Sequence, residues 1–465
     1  MLIGREKEKA QLLSALQSNQ SEFIAVYGRR RVGKTFLIRE AFNYRFSFDH
    51  TGILDAPLKE QLYEFRESLY RAGMKHTALP RTWNAAFHLL EGFLSSLPDG
   101  KKVVFMDELP WMDTTRSNFI RALDHFWNSW ATARKDIVLV VCGSATSWII
   151  DHIVMNYGGL HNRITKKIHL HPFSLRECEL FCNAQNLGYK RGLIMEAYMA
   201  LGGIPYYWGF LEKGLSVAQN FDRMFFDEDG EMTEEYDALY TSLFKNPTNH
   251  IKVIEALAAK KAGMSRKELL EATSLSDNDQ FTKVLKELGQ CGFIRKYTCL
   301  GKVLKEARYQ LMDNYTLFYF RFIRQNENGD KWFWSSMYNS PLHNTWAGLA
   351  FERVCLQHLD QIKKALGFGA VISTAHSWAS RGAQIDLLID RNDNVINVCE
   401  MKYSKGKYAL KDEDIEKMQN RVNRLQEETG TTKTIHQTLI TSYGLTPGSD
   451  THTIQSMLTM DDLFG

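Results

Sequence analysis

The stretch Gly28-Arg29-Arg30-Arg31-Val32-Gly33-Lys34-Thr35 decides the fold of this chain. It has the spacing of a phosphate-binding loop, in which a glycine at each end lets the backbone curl and aim its N–H groups at a phosphate. An apolar run at residues 23–27 precedes the loop as a buried strand, and a helical pattern at residues 36–42 follows it. The chain is therefore predicted to bind a nucleotide.

The loop also assigns roles to its side chains. Lys34 is predicted to reach the β- and γ-phosphates, and Thr35 to ligate Mg²⁺. The three arginines are unusual, since phosphate loops commonly carry small residues there. They either add charge at the triphosphate or face solvent or a partner, and we favour the second because backbone N–H groups already cradle the phosphate. The predicted cofactor-binding residues of this region are Gly28, Arg29, Arg30, Arg31, Val32, Gly33, Lys34, Thr35 and Phe36.

A second apolar run, residues 102–106, ends in Asp107 and Glu108. Asp107 is predicted to hold the Mg²⁺ shell, and Glu108 to polarise the attacking water as a general base. The alternative is a buried strand that merely exits into an acidic turn. A phosphate loop at ordinary domain distance favours the catalytic interpretation.

The run at residues 136–144 is continuously apolar and ends in Gly143-Ser144, as expected for a parallel strand covered on both faces. Ligands of such sheets lie at the carboxyl ends of the strands. Ser144 is therefore a candidate sensor of the γ-phosphate beside Asp107. An ordinary strand-terminating turn is the alternative.

Composition limits the classes of protein. The 465 residues predict about three domains at ~150 residues each. Lys and Arg (57) exceed Asp and Glu (54) by only three, so any nucleic-acid surface must be local. The first residues have no apolar signal core, and no run reaches the ~20 uncharged residues of a membrane span, which predicts a cytoplasmic protein without a membrane partner. The seven cysteines lack metal-ligand spacing and are predicted to be reduced and mostly buried.

Several motifs together resemble the archaeal-type ATPase family of the AAA+ and STAND branch. They are Ile3-Gly4-Arg5-Glu6, the phosphate loop, Asp107-Glu108, Gly143-Ser144, Arg163 and the stretch Gly202-Gly203-Ile204-Pro205-Tyr206-Tyr207. Many members of that family carry a C-terminal domain that resembles PD-(D/E)XK nucleases. The resemblance covers most of the chain.

The resemblance implies further roles. It implies that Ile3 and Gly4 flank the adenine, that Pro205 closes a lid over the base, and that Arg163 is a sensor or an arginine finger. A helix-cap or surface role for Arg163 stays open, as does the choice between its own subunit and a neighbour in a homo-oligomer. The absence of an Asn-Lys-x-Asp guanine motif favours ATP over GTP.

Two further domains, a helical lid and a winged helix, are expected after the core. Residues 174–177 form a capping box, and amphipathic segments continue to about residue 244 as a helical lid. Residues 250–310 then read as three helices and a hairpin, a winged helix, with twelve Lys or Arg against seven Asp or Glu. That excess predicts DNA contact through Lys283, Lys286, Lys302 and Lys305. A purely structural joint is the alternative.

The last third contains a second set of charged residues. Two strand-like runs flank a turn at residues 391–394, and a turn centred on residue 393 puts Asp386 opposite Glu400, with Lys402 on the same face. Facing carboxylates repel unless a cation lies between them, so this hairpin predicts a metal-dependent phosphodiesterase site. It resembles the PD-(D/E)XK motif, and Glu352 resembles the extra acidic residue on the first helix of that fold. Residues 331–465 carry fourteen basic against fifteen acidic residues, which leaves an inert domain as the alternative.

We therefore predict an α/β multidomain protein. Its parts are a three-layer P-loop AAA+ core (1–172), a helical lid (173–245), a winged helix with a connecting helix (246–330) and a restriction-endonuclease-like domain (331–465). The predicted function is ATP hydrolysis that gates a DNA-directed, metal-dependent nuclease, with Thr35, Asp107, Glu352, Asp386 and Glu400 as metal ligands. The alternatives are a STAND-like regulatory ATPase with an inert nuclease-like domain, and a DNA-binding regulator.

Overall fold

The computed structural model describes residues 2–155, 160, 162–301, 307–326, 328–380 and 382–465. The chain divides into two compact units, Met1–Pro172 and Phe173–Gly465. Among the described residues, no helix is long and apolar enough to cross a membrane. The seven cysteines are free thiols, and all but Cys299 are buried, which confirms the expectation for them.

The first unit alternates helices and strands. Its elements are α1 (Glu6–Ser14), β1 (Glu22–Tyr27), α2 (Lys34–Ala41), β2 (Phe48–Thr51), α3 (Leu58–Arg71), α4 (Trp83–Ser96), β3 (Lys102–Asp107), α5 (Leu109–Met112), α6 (Phe119–His125), β4 (Ile137–Gly143), α7 (Thr146–Ile149) and β5 (Lys166–His169).

The five strands of this unit form one parallel sheet in the order β2-β3-β4-β1-β5. Phe23 and Ala25 of β1 pack into a core with α3, α4 and α6, while Ile24 and Val26 are buried on the opposite face. Burial on both faces explains why the strands are continuously apolar rather than alternating. Because the strands are parallel, the carboxyl ends of β1, β4 and β3 lie side by side at one edge.

The second unit begins with helices and a small sheet. Its elements there are α8 (Leu175–Ala184), α9 (Arg191–Leu201), α10 (Pro205–Trp208), α11 (Val217–Phe221), α12 (Glu235–Leu243), α13 (Thr248–Ala258), β6 (Met264–Ser265), α14 (Arg266–Thr273), α15 (Asp279–Gln290), β7 (Ile294–Tyr297) and β8 (Arg308–Leu311). The three strands pair antiparallel in the order β6-β8-β7.

The remaining elements build a mixed sheet flanked by helices. They are α16 (Asn314–Phe318), α17 (Phe333–Met337), α18 (Pro341–Gln357), α19 (Leu359–Ala365), β9 (Ser373–Ser380), β10 (Ala383–Arg391), β11 (Val395–Lys402), α20 (Asp412–Thr429), β12 (Thr434–Thr441) and β13 (Ser456–Thr459). The sheet order is β13-β12-β11-β10-β9; β9, β10 and β11 pair antiparallel, and β11, β12 and β13 pair parallel. The mixed α/β, multidomain fold class is confirmed.

Candidate functional site

The phosphate-binding loop lies between β1 and α2 and depends on its glycines. Gly28 has φ 149°, and a Cβ there would lie 2.2 Å from the carbonyl oxygen of Leu170. Gly33, with φ 89°, is the N-cap of α2. Both φ values favour glycine. The loop therefore presents its backbone at the N-terminus of a helix, where N–H groups and the helix dipole attract phosphate.

Lys34 points into this loop. Its ammonium donates hydrogen bonds to the carbonyl oxygens of Gly28 (2.9 Å) and Arg29 (3.0 Å), and the residue is only 6% exposed. The backbone thus holds a buried positive charge at the centre of the loop. Such a charge fits the predicted contact with the β- and γ-phosphates.

Thr35 and Asp107 meet across the sheet edge. The Thr35 hydroxyl donates to Oδ2 of Asp107 at 2.8 Å. A hydroxyl and a carboxylate at this spacing are the oxygen ligands that Mg²⁺ prefers, so these residues fit the ion.

Cys142, near the end of β4, is a neighbour of Asp107 that the sequence analysis missed. Its thiol donates to Oδ1 of Asp107 at 2.6 Å. Burial and the Asp107 charge hold the pKa of this thiol well above its ordinary value, so the thiol stays a neutral donor. Its position two residues before Ser144 is visible in the sequence, but only the pairing of β4 with β3 places it beside Asp107.

Glu108 is held by the end of β4. Its Oε2 accepts hydrogen bonds from the backbone N–H of Ser144 and from the Ser144 hydroxyl, each at 2.9 Å. Glu108 itself has a left-handed backbone, φ 47° and ψ 49°, which turns its side chain away from the direction of β3. Ser144 therefore positions the carboxylate of the predicted general base.

The N-terminal segment lies beside the loop. Gly4 has φ 63°, and the guanidinium of Arg5 donates to the carbonyl of His171 at 2.7 Å. Residue 171 directly follows Leu170, the residue that contacts Gly28. Ile3 and Gly4 are thus brought to the same corner of the first unit as the phosphate loop. Pro205 lies in the second unit, where it opens α10.

Arg163 lies at the end of the first unit's sheet that is opposite the phosphate loop. It is exposed and precedes β5, whose first residue, Lys166, pairs with Ile24 near the start of β1. Gly28 follows the far end of β1. The strand from residue 23 to 28 spans about 16 Å at roughly 3.3 Å per residue, which exceeds the reach of an arginine side chain. The geometry therefore separates Arg163 from the phosphate loop of its own subunit.

The three loop arginines differ from one another. Arg29 is 6% exposed, whereas Arg30 and Arg31 are partly exposed. The expectation that all three face solvent or a partner is therefore wrong for Arg29. The loop is buried on both sides of Arg29, at Gly28 and Val32, which leaves this side chain little access to solvent. Val32 is buried and Phe36 is exposed.

The second candidate site, in the C-terminal sheet, is divided between two groups of contacts. Lys261, from the loop between α13 and β6, lies 2.8 Å from Oε2 of Glu352 and 3.6 Å from Oδ2 of Asp386. Gln384 donates to the other Asp386 oxygen at 2.6 Å. Burial raises the pKa of the Glu352 carboxyl, and the nearby Asp386 carboxylate raises that pKa further. The Lys261 ammonium acts in the opposite direction. Lys261 is a second residue that the sequence analysis missed.

Glu400 contacts different cations. Its Oε1 lies 2.9 Å from the Lys402 ammonium, and its Oε2 accepts a hydrogen bond from Arg421 of α20. The ladder between β10 and β11 ends with Leu387 opposite Cys399, so the same register continued by one step places Asp386 opposite Glu400. The predicted register is therefore reproduced, but the predicted contact between the two carboxylates is not.

A β-bulge explains the separation. The pairing of β10 with β9 shifts by one residue between Ile385 and Leu388, and both of these side chains lie in one core cluster with Val422 of α20. Three residues of regular strand would put them on opposite faces. The bulge thus turns Asp386 away from the α20 face, whereas Glu400 contacts α20. A sequence pattern of period two cannot anticipate this extra residue.

These contacts do not fit the predicted metal set of Glu352, Asp386 and Glu400. Within the described part of the chain, no three His, Cys, Asp or Glu side chains converge in a way that could hold a metal ion. Each of the three carboxylates instead pairs with a cation of the same chain, and Glu352 and Asp386 share Lys261. The physical reason is the bulge, which prevents Glu400 from joining the other two.

Two of the predicted DNA-facing lysines can be placed. Lys283 and Lys286 are exposed on α15, opposite the buried face formed by Phe281, Val284, Leu285 and Leu288. Lys302 and Lys305 lie outside the described residues. Both lysines of α15 are thus accessible, and Lys283 lies 3.9 Å from a carboxylate oxygen of Glu287 on the same helix.

Comparison with known proteins relates the two ends of the chain to two families. Residues 2–209 match a family described as an ATPase domain predominantly from Archaea. Residues 319–418 match a family described as archaeal and bacterial proteins of unknown function. An uncharacterized protein of Methanocaldococcus jannaschii is 26% identical over 438 residues, which is 90% of each chain.

Solved structures are similar at low sequence identity. The Walker-type ATPase of Pyrococcus abyssi is 18% identical with a TM-score of 0.49, and the match covers 69% of this chain and 96% of that one. The Aeropyrum pernix ORC2 protein, solved with ADPNP and ADP, is 14% identical with a TM-score of 0.38 and coverages of 67% and 90%.

Proposed function

Since its N-terminal domain belongs to the ATPase family found predominantly in Archaea, we propose that this chain binds and hydrolyses Mg-ATP and that its nucleotide cycle gates a DNA-directed activity of the C-terminal domain. One observation carries the proposal of hydrolysis. The ends of three adjacent strands bring Lys34, the Thr35–Asp107 pair and the Glu108–Ser144 pair to a single edge.

The proposed reaction divides its tasks among these residues. Lys34 and the loop N–H groups bind the phosphates, and Thr35 and Asp107 hold Mg²⁺, which would neutralise phosphate charge. Glu108 orients the attacking water and accepts its proton. Ser144 is a positioning residue that holds the Glu108 carboxylate. It would also sense the γ-phosphate. Ile3 and Gly4 would flank the adenine.

We also propose the four domains predicted above, with boundaries at 172, 245 and 330. The arrangement of α13, α14 and α15 with the β6-β8-β7 sheet supports a winged helix at 246–330. The order of α18, β9, β10, β11, α20 and β12 supports a restriction-endonuclease-like domain at 331–465. DNA would contact the exposed Lys283 and Lys286 of α15 and the C-terminal domain.

Arg163 is proposed to act on a neighbouring subunit of a homo-oligomer, because it lies too far from its own phosphate loop. We expect Arg163→Ala to lower ATP hydrolysis about a hundredfold, since an arginine stabilises charge that develops in the transition state. Adding Lys34→Ala protein, which keeps Arg163 but lacks a working loop, should restore hydrolysis. Arg121→Ala, at an exposed position of α6, is the control. Unchanged hydrolysis in Arg163→Ala would show that no neighbour uses this arginine.

The proposed gating is tested with plasmid DNA. The full-length chain is incubated with Mg²⁺ or Mn²⁺, with and without ATP, beside Asp386→Ala and Lys283→Glu. The three carboxylates do not form a metal site in the described part of the chain, so ATP has to rearrange them before a metal can act there. On this proposal, nicking requires ATP and disappears in Asp386→Ala. Intact plasmid under every condition, from a protein that hydrolyses ATP, would refute the nuclease.

The second candidate is a regulatory ATPase with an inert nuclease-like domain. The observation that favours it is that Glu352, Asp386 and Glu400 all pair with cations of the same chain. In its DNA-binding form this candidate predicts DNA retention that survives Asp386→Ala and falls in Lys283→Glu. A gel-shift titration of the two variants separates it from the nuclease.

A further inference from the structure

Lys261 occupies the position between Glu352 and Asp386 where a metal ion would bridge two carboxylates. We propose that Lys261 is the resident cation of this site and keeps it closed to divalent metal. The inference rests on the proposed role of the C-terminal domain. In it, the contact of Lys261 with Glu352 and Asp386 prevents a divalent metal from binding.

The two distances carry the first step. The Lys261 ammonium lies 2.8 Å from Glu352 and 3.6 Å from Asp386, so it contacts α18 and β10 at once. Two facing carboxylates repel each other, and the Lys261 ammonium, with the nearby guanidinium groups of Arg295 and Arg353, removes much of that repulsion. A divalent ion would compete for the same oxygens, so metal and ammonium exclude each other.

The backbone of Lys261 is fixed as well. Its carbonyl oxygen accepts hydrogen bonds from Gln310 of β8 (2.7 Å) and from Arg353 of α18 (3.1 Å). Consecutive residues of α18, Glu352 and Arg353, therefore bind the two ends of one lysine. This double contact distinguishes Lys261 from a surface lysine that meets a carboxylate by chance.

The loop that carries Lys261 is tightly packed. A Cβ at Gly263, which has φ 68°, would lie 2.2 Å from the carbonyl oxygen of Tyr309. Arg308 donates to the Gly263 carbonyl at 2.8 Å. The small sheet thus holds the 260–263 loop against α18, and the ammonium is delivered by a rigid support.

The side chain of Lys261 nevertheless has room to leave. It is 41% exposed, and it lines a cavity of about 510 Å³ together with Trp346, Leu349 and Arg353. An ion pair that is partly exposed contributes little stability and exchanges readily. The closure is therefore reversible without unfolding of the loop.

The test is a titration of the full-length chain with Mn²⁺ in the absence of nucleotide. Binding is measured from the loss of the electron paramagnetic resonance signal of free Mn²⁺. We expect Lys261→Gln to create one Mn²⁺ site at least tenfold tighter than any Asp386-dependent site of the unmodified chain. Adding Asp386→Asn to Lys261→Gln should remove that site. Lys260→Gln is the matched control, because Lys260 is similarly exposed (44%) but pairs with Glu268.

Two results would overturn the inference. One is a Lys261→Gln chain with an unchanged Mn²⁺ isotherm, and the other is an Asp386-dependent site already present at equal affinity in the unmodified chain. Because binding is read without DNA or ATP, an intact plasmid or an inactive ATPase does not affect this result.

Amine labelling of the unmodified chain provides a test that needs no Lys261 variant. Lys261 should react with acetic anhydride more slowly than Lys267, which is 87% exposed and 3.9 Å from its partner carboxylate. Glu352→Gln should speed the labelling of Lys261 and leave that of Lys267 unchanged, as read by peptide mass spectrometry. Equal labelling of Lys261 with and without Glu352→Gln would contradict the closure.

Discussion

Replacing Glu108 by Gln is expected to lower ATP hydrolysis about 10³-fold while ATP stays bound. General-base catalysis contributes roughly 10² to 10⁴ in rate, and glutamine keeps the shape of the side chain but cannot accept the proton of the attacking water. The Ser144 hydroxyl and N–H, both 2.9 Å from Oε2 of Glu108, can still hold a side-chain oxygen there. Nucleotide affinity should therefore change little.

The measurement is steady-state phosphate release together with ATP affinity by calorimetry. Glu60→Gln, at an exposed position of α3, is the control and should behave as the unmodified chain. If Glu108→Gln hydrolysed ATP at the normal rate, another group would have to be the base. If it lost ATP affinity as well, Glu108 would be a binding residue rather than a catalytic one.

The contacts around the phosphate loop could be predicted from the sequence because their signals are local. The phosphate loop needs glycine at two positions with unusual φ, and the parallel strands are apolar throughout, so the order of motifs along the chain fixes which ends lie together. The contact between Cys142 and Asp107 was missed, since a lone cysteine in an apolar strand reads as core. Only the adjacency of β3 and β4 reveals it.

The C-terminal site was predicted less well because its geometry depends on non-local contacts. The hairpin register followed from the turn, but the bulge between Ile385 and Leu388 is set by pairing with β9 and by packing under α20. Lys261 lies more than a hundred residues before Asp386 and carries no motif. The Lys261 ammonium, from a loop distant in sequence, changes what Glu352 and Asp386 can bind. The spacing of the motif residues does not predict this contact.

Replacing Lys34 by Ala is expected to abolish productive ATP binding. The variant removes a buried ammonium from the centre of the phosphate loop. Truncating one partner of such a charged pair costs about 2 to 5 kcal/mol, which corresponds to an affinity loss of roughly 30-fold to several thousand-fold. The fold should persist. The two carbonyls that Lys34 contacts, those of Gly28 and Arg29, lose one hydrogen bond each, at about 1 kcal/mol apiece.

Thermal unfolding separates these two effects. In the unmodified chain, saturating Mg-ATP should raise the Tm, because a ligand that binds only the folded state stabilises it. Lys34→Ala should show a Tm lower by a few degrees without nucleotide, because two hydrogen bonds are lost, and no rise with nucleotide. Lys7→Ala, at an exposed position of α1, should keep the rise. A Lys34→Ala chain that binds Mg-ATP at near-normal affinity would refute the loop assignment. The roles of Thr35, Asp107 and Glu108 would then fall too, since each is inferred from a phosphate held at this loop.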